Sequence, residues 1–469
     1  MKSEDALIKA WSVTLARKPE APAIFDSRGQ VLRAFSQIEH RSRELEHSLG
    51  KFNAGDVVAI QIGNHEDWPS WLIALLRREL VALPLEPGMG EAERVSVLKI
   101  CNVAGVVGAA FPSGRDVEIL PPVTAAATTK WEKSPPSLLK LTSGTTAQPR
   151  AIRFRSEQLL ADCDNICATM GITDADINFA IIPVSHSYGF SNLITPLIAR
   201  GVPIVLSSDP MPRAILDDLE SSGATVFPGM PVFYQAFGEL REVPQLNRLR
   251  LCISAGAPLS LEVARRFREK FQRPIHSFYG SSECGGICYD REAAARDAGF
   301  VGEPMKGVSL ELLEPEVEAS RVRVRSAAVA DGYFPEPNEN KLGNGIFIPD
   351  DLLQKAGEGF RVVGRVSDVI NVAGKKVNPA EVEAALLHYK GVRQAVVFGR
   401  ESTLRNQEVA ACVVASSDVN ESGLLEFCRR RLSGWQVPKQ ILLVAEIPVT
   451  ERGKISRRDL ARAFPAQRS

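Results

Sequence analysis

The chain has no net charge to offer a polyanion: 56 lysines and arginines are matched by 56 aspartates and glutamates. Without a basic field it lacks the electrostatic footprint of a nucleic-acid or anionic-membrane binder, and a small molecule is the better default ligand. It has no run of about 18 apolar residues, so no transmembrane helix is expected. The first residues, MKSEDALIKAW, carry charges where a signal peptide needs an apolar core. Among its eight cysteines (Cys101, Cys163, Cys167, Cys252, Cys284, Cys288, Cys412, Cys428) there is no CxxC pair. The two C-x3-C spacings suit a shared helix face, so neither a zinc site nor a disulfide framework is indicated, and a reducing cytoplasm is expected. Internal repeats and low-complexity segments are absent. So is a Walker A loop, since Gly144 is not followed at the required spacing by Gly-Lys-Ser/Thr.

The chain does have length for several cores. Its 469 residues, 45% hydrophobic and 24% charged, predict a globular protein of two to four domains. Ser36 and Glu39 have capping-box spacing before a helix whose Ile38, Leu45 and Leu49 share a face. Strand-like runs then alternate with helical ones. Residues 57–62 read as a strand, 68–80 as a helix and 81–85 as a strand. Further on, 178–182, 203–206, 225–227, 250–254 and 275–278 read as strands, with helices at 213–220 and 261–271. Such alternation implies parallel sheets covered on both faces, with ligands beyond the carboxyl ends of the strands. From about Gly302 short alternating strands (309–313, 320–325) predict a β-rich piece, punctuated by the polar stretch 335–345. After Arg365 a helix at 379–388, strands at 394–398 and 409–414 and a helix at 422–432 predict a small α+β domain. The expected class is therefore α/β: a large N-terminal domain (1–364) of parallel sheets with a β-rich subdomain, and a small, mobile α+β domain (365–469). The break is expected at Gly364–Asp368.

The most informative stretch is LKLTSGTTAQPRAIRF, residues 139–154. Between two apolar runs, Thr142 to Pro149 is almost wholly small, hydroxyl-bearing or proline, and Arg150 adds a fixed cation. A polyphosphate is held by many short-range donors rather than by one strong one, and such a loop offers backbone N–H groups and hydroxyls together. Taken alone, the segment could equally be an ordinary Ser/Thr/Gly turn.

Five segments in this order resemble the superfamily of adenylate-forming enzymes, its acyl-CoA synthetase branch above all. TSGTTAQPR (142–150) is similar to the family's triphosphate loop. Thr142, Ser143, Gly144, Thr145 and Thr146 match. Ala147 replaces a glycine, which would cost about 1 kcal/mol if that position needs positive φ. Arg150 replaces the usual lysine while keeping its charge. PVSHSYGFSN (183–192) resembles the segment whose histidine lies between acyl pocket and nucleotide, a role implied for His186. That segment lacks any acidic residue, and amino-acid-activating relatives use an aspartate there, so an amino-acid substrate is disfavoured. SAGAPLS (254–260) is similar to the turn whose backbone at Gly256, Ala257 and Pro258 lies against adenine. In YGSSECGG (279–286) the resemblance implies Tyr279 stacked on adenine, Gly280 beside it, Ser282 on a phosphate and Glu283 on Mg²⁺, a hard cation suited to carboxylate oxygen. In the hinge region Asp351, with Asp350 as alternative, would grip the ribose hydroxyls together with Arg365. Ser367 falls at the hinge, and Gly374 where the pantetheine arm passes. Lys375 and Lys376 would meet CoA phosphates or form a solvated basic turn. Finally PVTERGKISRRDL (448–460) makes Lys454 the implied catalytic lysine, a placed charge facing the carboxylate and α-phosphate.

The resemblance implies an AMP-forming acyl-CoA ligase using ATP, Mg²⁺ and CoA on a carboxylic acid. Tyr188, Asn192, Phe227, Met230, Phe278 and Gly280 are the implied pocket residues, Gly280 leaving room, and suggest an aromatic or medium aliphatic acid. An acyl carrier protein as acceptor, a homodimer, and a degenerate nucleotide- or adenylate-binding protein all stay open.

Overall fold

The computed structural model describes residues 4–109, 117–120, 129–131, 134–142, 150–207, 209–293, 299–373, 375–402, 406–448 and 456–465. It forms two compact units. The first comprises Met1–Glu311, Arg323–Pro349 and Ala356–Arg361, and the second Leu312–Val322, Asp350–Lys355 and Val362–Ser469. The class is mixed α/β, as the alternating pattern predicts.

Two large sheets organise the first unit. In one, the strands Val57–Gln61, Val81–Pro84, Val103–Ala109 and Leu138–Leu141 run parallel. Antiparallel neighbours Ala151–Phe154 and Gly332–Phe334 extend the edge beyond Leu138–Leu141. In the other, Ile204–Leu206, Asn178–Ala180, Val226–Gly229, Leu251–Ser254 and Ile275–Ser281 lie side by side in parallel. Gly285–Tyr289 then folds back antiparallel on the last of these. The central strands are buried along both faces, which is why they read as unbroken Val/Ile/Leu runs rather than alternating ones. Helices Trp68–Arg77, Ser156–Met170, Pro212–Ser222 and Leu261–Phe271 cover the faces. The first of them buries nine of its ten residues.

The β-rich piece is present, with Val322–Ser326 set against Ile346–Phe347 so that Val324 lies opposite Phe347. The capping expectation needs correction. The helix Phe35–Ser48 starts one residue before Ser36, and Gln37 Oε1 accepts the Ala34 N–H at 2.7 Å. Glu39 instead takes hydrogen bonds from the Trp11 indole (2.8 Å) and the Arg77 guanidinium (2.6 Å), tying three helices together.

In the second unit Asn406–Ala415 pairs antiparallel with Val392–Ser402 and with Ile370–Val372, and parallel with Gln440–Leu443. Helices Pro379–Leu387, Glu421–Arg431 and Arg457–Ala463 accompany this sheet. Val382, Leu386, Val397, Ala411, Leu424 and Cys428 form part of its core. All eight cysteines are buried and none is in a disulfide. Burial pushes the Cys101 and Cys252 thiols up to about 12, against Arg273 in the case of Cys252, so these are packing groups rather than reactive ones. Among the described residues no group of three or more His, Cys, Asp or Glu could hold a metal, and no helix is long and apolar enough to cross a membrane.

Candidate active site

The motif residues follow the carboxyl ends of neighbouring parallel strands. His186 comes after Asn178–Ala180, Gly256–Pro258 after Leu251–Ser254, and Ser282–Glu283 after Ile275–Ser281. On the other sheet Thr142 caps the end of Leu138–Leu141 and Glu86 lies two residues past Val81–Pro84. This is where an α/β sheet presents loops to a ligand.

The phosphate-loop segment joins two antiparallel strands, with Leu141 opposite Ala151. Its mouth is closed twice over. The Thr142 N–H donates to the Arg150 carbonyl at 2.9 Å and the Thr142 hydroxyl to the same oxygen at 3.3 Å. Ser143, Gly144, Thr145, Thr146 and Ala147 lie outside the described residues. Arg150 stands 5.8 Å from the ring centre of Tyr333 and 3.9 Å from the exposed Glu336 carboxylate.

Tyr333 links this mouth to the proposed metal carboxylate. Its hydroxyl donates to Glu283 Oε1 at 3.0 Å, and the Ser281 hydroxyl donates to Glu283 Oε2. The Glu283 carbonyl accepts the Ala330 N–H at 3.0 Å, so both ends of the residue are fixed. The sequence reading missed Tyr333. It sits in Gly332–Phe334, opposite Ile152, and only strand pairing brings it to Glu283.

Glycine at 280 has a backbone cause in the hairpin. A Cβ there would lie 2.6 Å from the Gly285 carbonyl oxygen, so the residue is needed for close approach of the hairpin backbone, where Gly280 pairs with Gly286. Gly256 adopts φ +85°, and a Cβ there would meet only the Met230 side chain at an ordinary 3.9 Å, so conformation rather than crowding requires glycine. Ala257 and Pro258 beside it are exposed, while Tyr279 and Ser282 are half-buried.

His186 precedes the short helix Ser187–Gly189, and its Nε2 lies 3.5 Å from Glu86 Oε2. The same carboxylate oxygen accepts the Ser185 hydroxyl at 2.6 Å. The Glu86 carbonyl is held by the Gln61 amide (2.9 Å), whose oxygen accepts from Arg94 (2.9 Å). The segment 183–192 has no acid of its own, yet the fold supplies one from a distant loop. No sequence signal marked Glu86.

Behind His186 the helix continues as a π turn, Phe190–Ile194, a distortion that is frequent at functional sites. Tyr188 packs its ring 5.8 Å from Phe278. The Tyr188 hydroxyl and the side-chain oxygens of Asn192 and Asn178 are buried without a hydrogen-bond partner among the described residues. Burial pushes the Tyr188 phenol well above its ordinary pKa, so it stays protonated as a donor. Phe227, one of the implied pocket residues, is packed in the core. It is 1% exposed and surrounded by Phe179, Phe233, Tyr234 and Phe237 in an aromatic core.

In the second unit Arg365 Nε donates to Asp351 Oδ1 at 2.7 Å. Asp351 is buried and Asp350 exposed; the Asp350 carbonyl accepts the Val366 N–H at 2.8 Å. Gly374, Lys454 and the Ser367 side chain lie outside what the structure describes. Three residues beyond Lys454, the Arg457 guanidinium bonds to Asp368 (2.7 Å), Glu383 (2.8 Å) and the Val397 carbonyl (2.9 Å), anchoring the helix that follows. The Lys375 ammonium lies 3.8 Å from the Trp435 ring centre.

The model of the family described as "AMP-binding enzyme" matches residues 11–334, and "AMP-binding enzyme C-terminal domain" matches residues 381–454. The chain belongs to the AMP-binding enzyme family. The family and the CoA ligases among its relatives support an AMP-forming acid–thiol ligase, as the motifs imply. It is 28% identical over 462 residues to a probable CoA ligase of Humulus lupulus, covering 88% of this chain and 87% of that one. Against feruloyl-CoA synthase of an Amycolatopsis species it is 27% identical over 491 residues, covering 97% and 98%. Against 3,4-dihydroxybenzoate–[aryl-carrier protein] ligase of Bacillus anthracis it is 27% identical over 326 residues, covering 69% and 73%. ATP-bound MatB from Rhodopseudomonas palustris shares the fold, with a TM-score of 0.85 at 20% identity over 97% of this chain and 98% of that one.

Proposed function

We propose that this chain activates a carboxylic acid with Mg·ATP and passes the acyl group to the thiol of CoA. A carboxylate oxygen bonds to the α-phosphorus as the bond to pyrophosphate breaks. The thiolate then bonds to the acyl carbon as AMP leaves. The observation that carries this reading is the Arg150–Tyr333–Glu283 cluster at the mouth of the phosphate-loop hairpin. It sets a cation for phosphate beside an oxygen ligand for a hard metal. Mg²⁺ keeps several waters and leans on substrate phosphates, so a single carboxylate held by two hydroxyls fits it where no larger ligand cluster exists among the described residues. When bound, the ion would neutralise phosphate charge.

On this reading Thr142, Ser143, Gly144, Thr145, Thr146 and Arg150 hold the β- and γ-phosphates. Tyr279, Gly280 and residues 256–258 hold adenine, Ser282 meets a phosphate, and Asp351 and Arg365 hold the ribose. His186 sits at the acyl gate. Lys454 supplies the charge that stabilises the developing negative charge of the first step, and Gly374 serves the second. The division into a catalytic domain (1–364) and a mobile domain turning at Ser367 belongs to the same reading. A soluble cytoplasmic enzyme fits it.

For the acid, an aromatic ring carrying hydroxyl or amino groups is favoured over a plain aliphatic chain. Buried Tyr188 and Asn192 oxygens left unpartnered lose free energy unless a ligand or water satisfies them. Similarity to feruloyl-CoA and dihydroxybenzoate enzymes points the same way. Carboxylate-dependent ATP–pyrophosphate exchange over a panel of benzoic, cinnamic and C6–C12 acids is the test, followed by product mass with CoA or a holo carrier protein. Exchange with at least one aromatic acid and a CoA thioester are expected. Nucleotide binding without exchange for any acid would make the chain a nucleotide-binding protein instead, and product only on the carrier would replace CoA as acceptor.

A further inference from the structure

Lys140 is out of place in the apolar strand Leu138–Leu141, and the motifs give it no role. It is 4% exposed, with its ammonium 4.7 Å and 4.9 Å from the ring centres of Phe154 and Phe190 and 3.5 Å from the Ser191 hydroxyl. Asp162, on Ser156–Met170, is 3% exposed and accepts the Gly286 N–H at 2.9 Å. The fit is close enough that a Cβ on Gly285, which has φ +70°, would come within 2.0 Å of Asp162 Oδ1. Ser191 is itself buried, and its hydroxyl is near enough to Asp162 to favour the ionised carboxyl.

Each member of this buried trio belongs to, or holds, a different part of the active site. Lys140 is two residues before Thr142. Ser191 is in the π turn after His186. Through Gly286, Asp162 holds the turn that carries Glu283. Burial draws the Lys140 ammonium down to about 8 against the pull of Asp162, and raises the Asp162 carboxyl against Lys140, Ser191 and the Gly286 N–H. Two charges buried near one another are weak evidence for stability, because packed apolar residues of the same volume often do as well or better. Fixing one geometry is another physical reason for such groups.

We propose that Lys140, Ser191 and Asp162 form a buried positioning node that fixes the phosphate-loop strand, the π turn behind His186 and the Glu283 turn relative to one another. It sets the Mg·ATP site without touching the nucleotide. This rests on the function proposed above, and wild-type exchange activity tests that separately; if there were none, Mg-dependent nucleotide binding by calorimetry would still read the node.

The test is Lys140→Met, which leaves Asp162 buried without its counter-charge. KM for Mg·ATP and the Mg²⁺ concentration for half-activation are expected to rise about tenfold, with KM for the acid changed less than about threefold. Lys140→Met with Asp162→Asn removes both charges but keeps an acceptor for Gly286, and should return KM for Mg·ATP to within about threefold of wild type. A folded Lys140→Met enzyme with wild-type KM for Mg·ATP overturns the proposal. So does a proportional loss in every kinetic parameter, or no recovery in the double variant. If Lys140→Met does not fold, Ser191→Ala removes only the central hydroxyl. A rise in KM for Mg·ATP of about threefold or more supports the node, and an unchanged value overturns it.

Discussion

Replacing Tyr333 by Phe deletes one hydroxyl and keeps the ring. The ring still faces Arg150 at 5.8 Å, so the phosphate-loop side of the cluster is left alone. Glu283 Oε1 loses a donor at 3.0 Å while Oε2 keeps Ser281. A hydrogen bond to a charged group contributes about 1.5–3 kcal/mol, and Glu283 is only half-buried, so the lower end applies. About 1.5 kcal/mol corresponds to roughly tenfold in an equilibrium constant. The carboxylate no longer held in one orientation should therefore need about tenfold more Mg²⁺ for half-maximal pyrophosphate exchange, with kcat at saturating Mg²⁺ nearly restored. Groups that orient metal ligands typically matter at this level. The assay is a Mg²⁺ titration of exchange at fixed ATP, wild type against Tyr333→Phe. An unchanged half-activating concentration would refute the reasoning. A loss of activity that excess Mg²⁺ does not repair would show that the hydroxyl acts on something other than the metal carboxylate.

Two further outcomes are expected. Asp176 is buried, which by itself raises its pKa. Two Arg250 bonds at 2.6 Å, the Thr173 N–H (2.9 Å) and the Thr225 hydroxyl (2.9 Å) outweigh burial and leave it lowered. A lowered carboxyl contributes stability above its unfolded value of about 4 and loses it as pH falls through the folded value. Asp176→Ala should thus cost about 2–3 kcal/mol in urea unfolding at pH 7, and the gap to wild type should narrow below pH 4; a gap of constant size would contradict the assignment. Lys454→Ala should abolish adenylate formation yet spare thioester formation from a supplied acyl adenylate, and an unaltered carboxylate-dependent exchange rate would remove Lys454 from its proposed role.

Much of the architecture was legible because buried parallel strands must be continuously apolar and their covering helices amphipathic. The helix expected at 261–271 appears with those bounds, Leu261–Phe271. The strand expected at 275–278 runs on through Tyr279 and Gly280 to Ser281, because its extra length is paid for by an antiparallel partner, Gly285–Tyr289, that local pattern does not reveal. The Ser36–Glu39 spacing misled for a related reason. Glu39 is drawn away from the backbone by Trp11 and Arg77, which lie 28 and 38 residues off in sequence. Phe227 was placed in the pocket by the family resemblance alone, and local pattern gives no sign that it packs among Phe179, Tyr234 and Phe237.

The sequence by itself determined the family, the order of the motifs and the class of chemistry, since loops that hold phosphate, adenine and a hard cation need particular residue types at short spacing. Only the tertiary structure decided which distant groups stand beside the motif residues. Tyr333 reaches Glu283, Glu86 reaches His186, and Lys140 and Asp162 come into reach of one buried serine. Their roles depend on Coulomb and hydrogen-bond contacts that act over a few ångströms in space. Separation along the chain carries no trace of them.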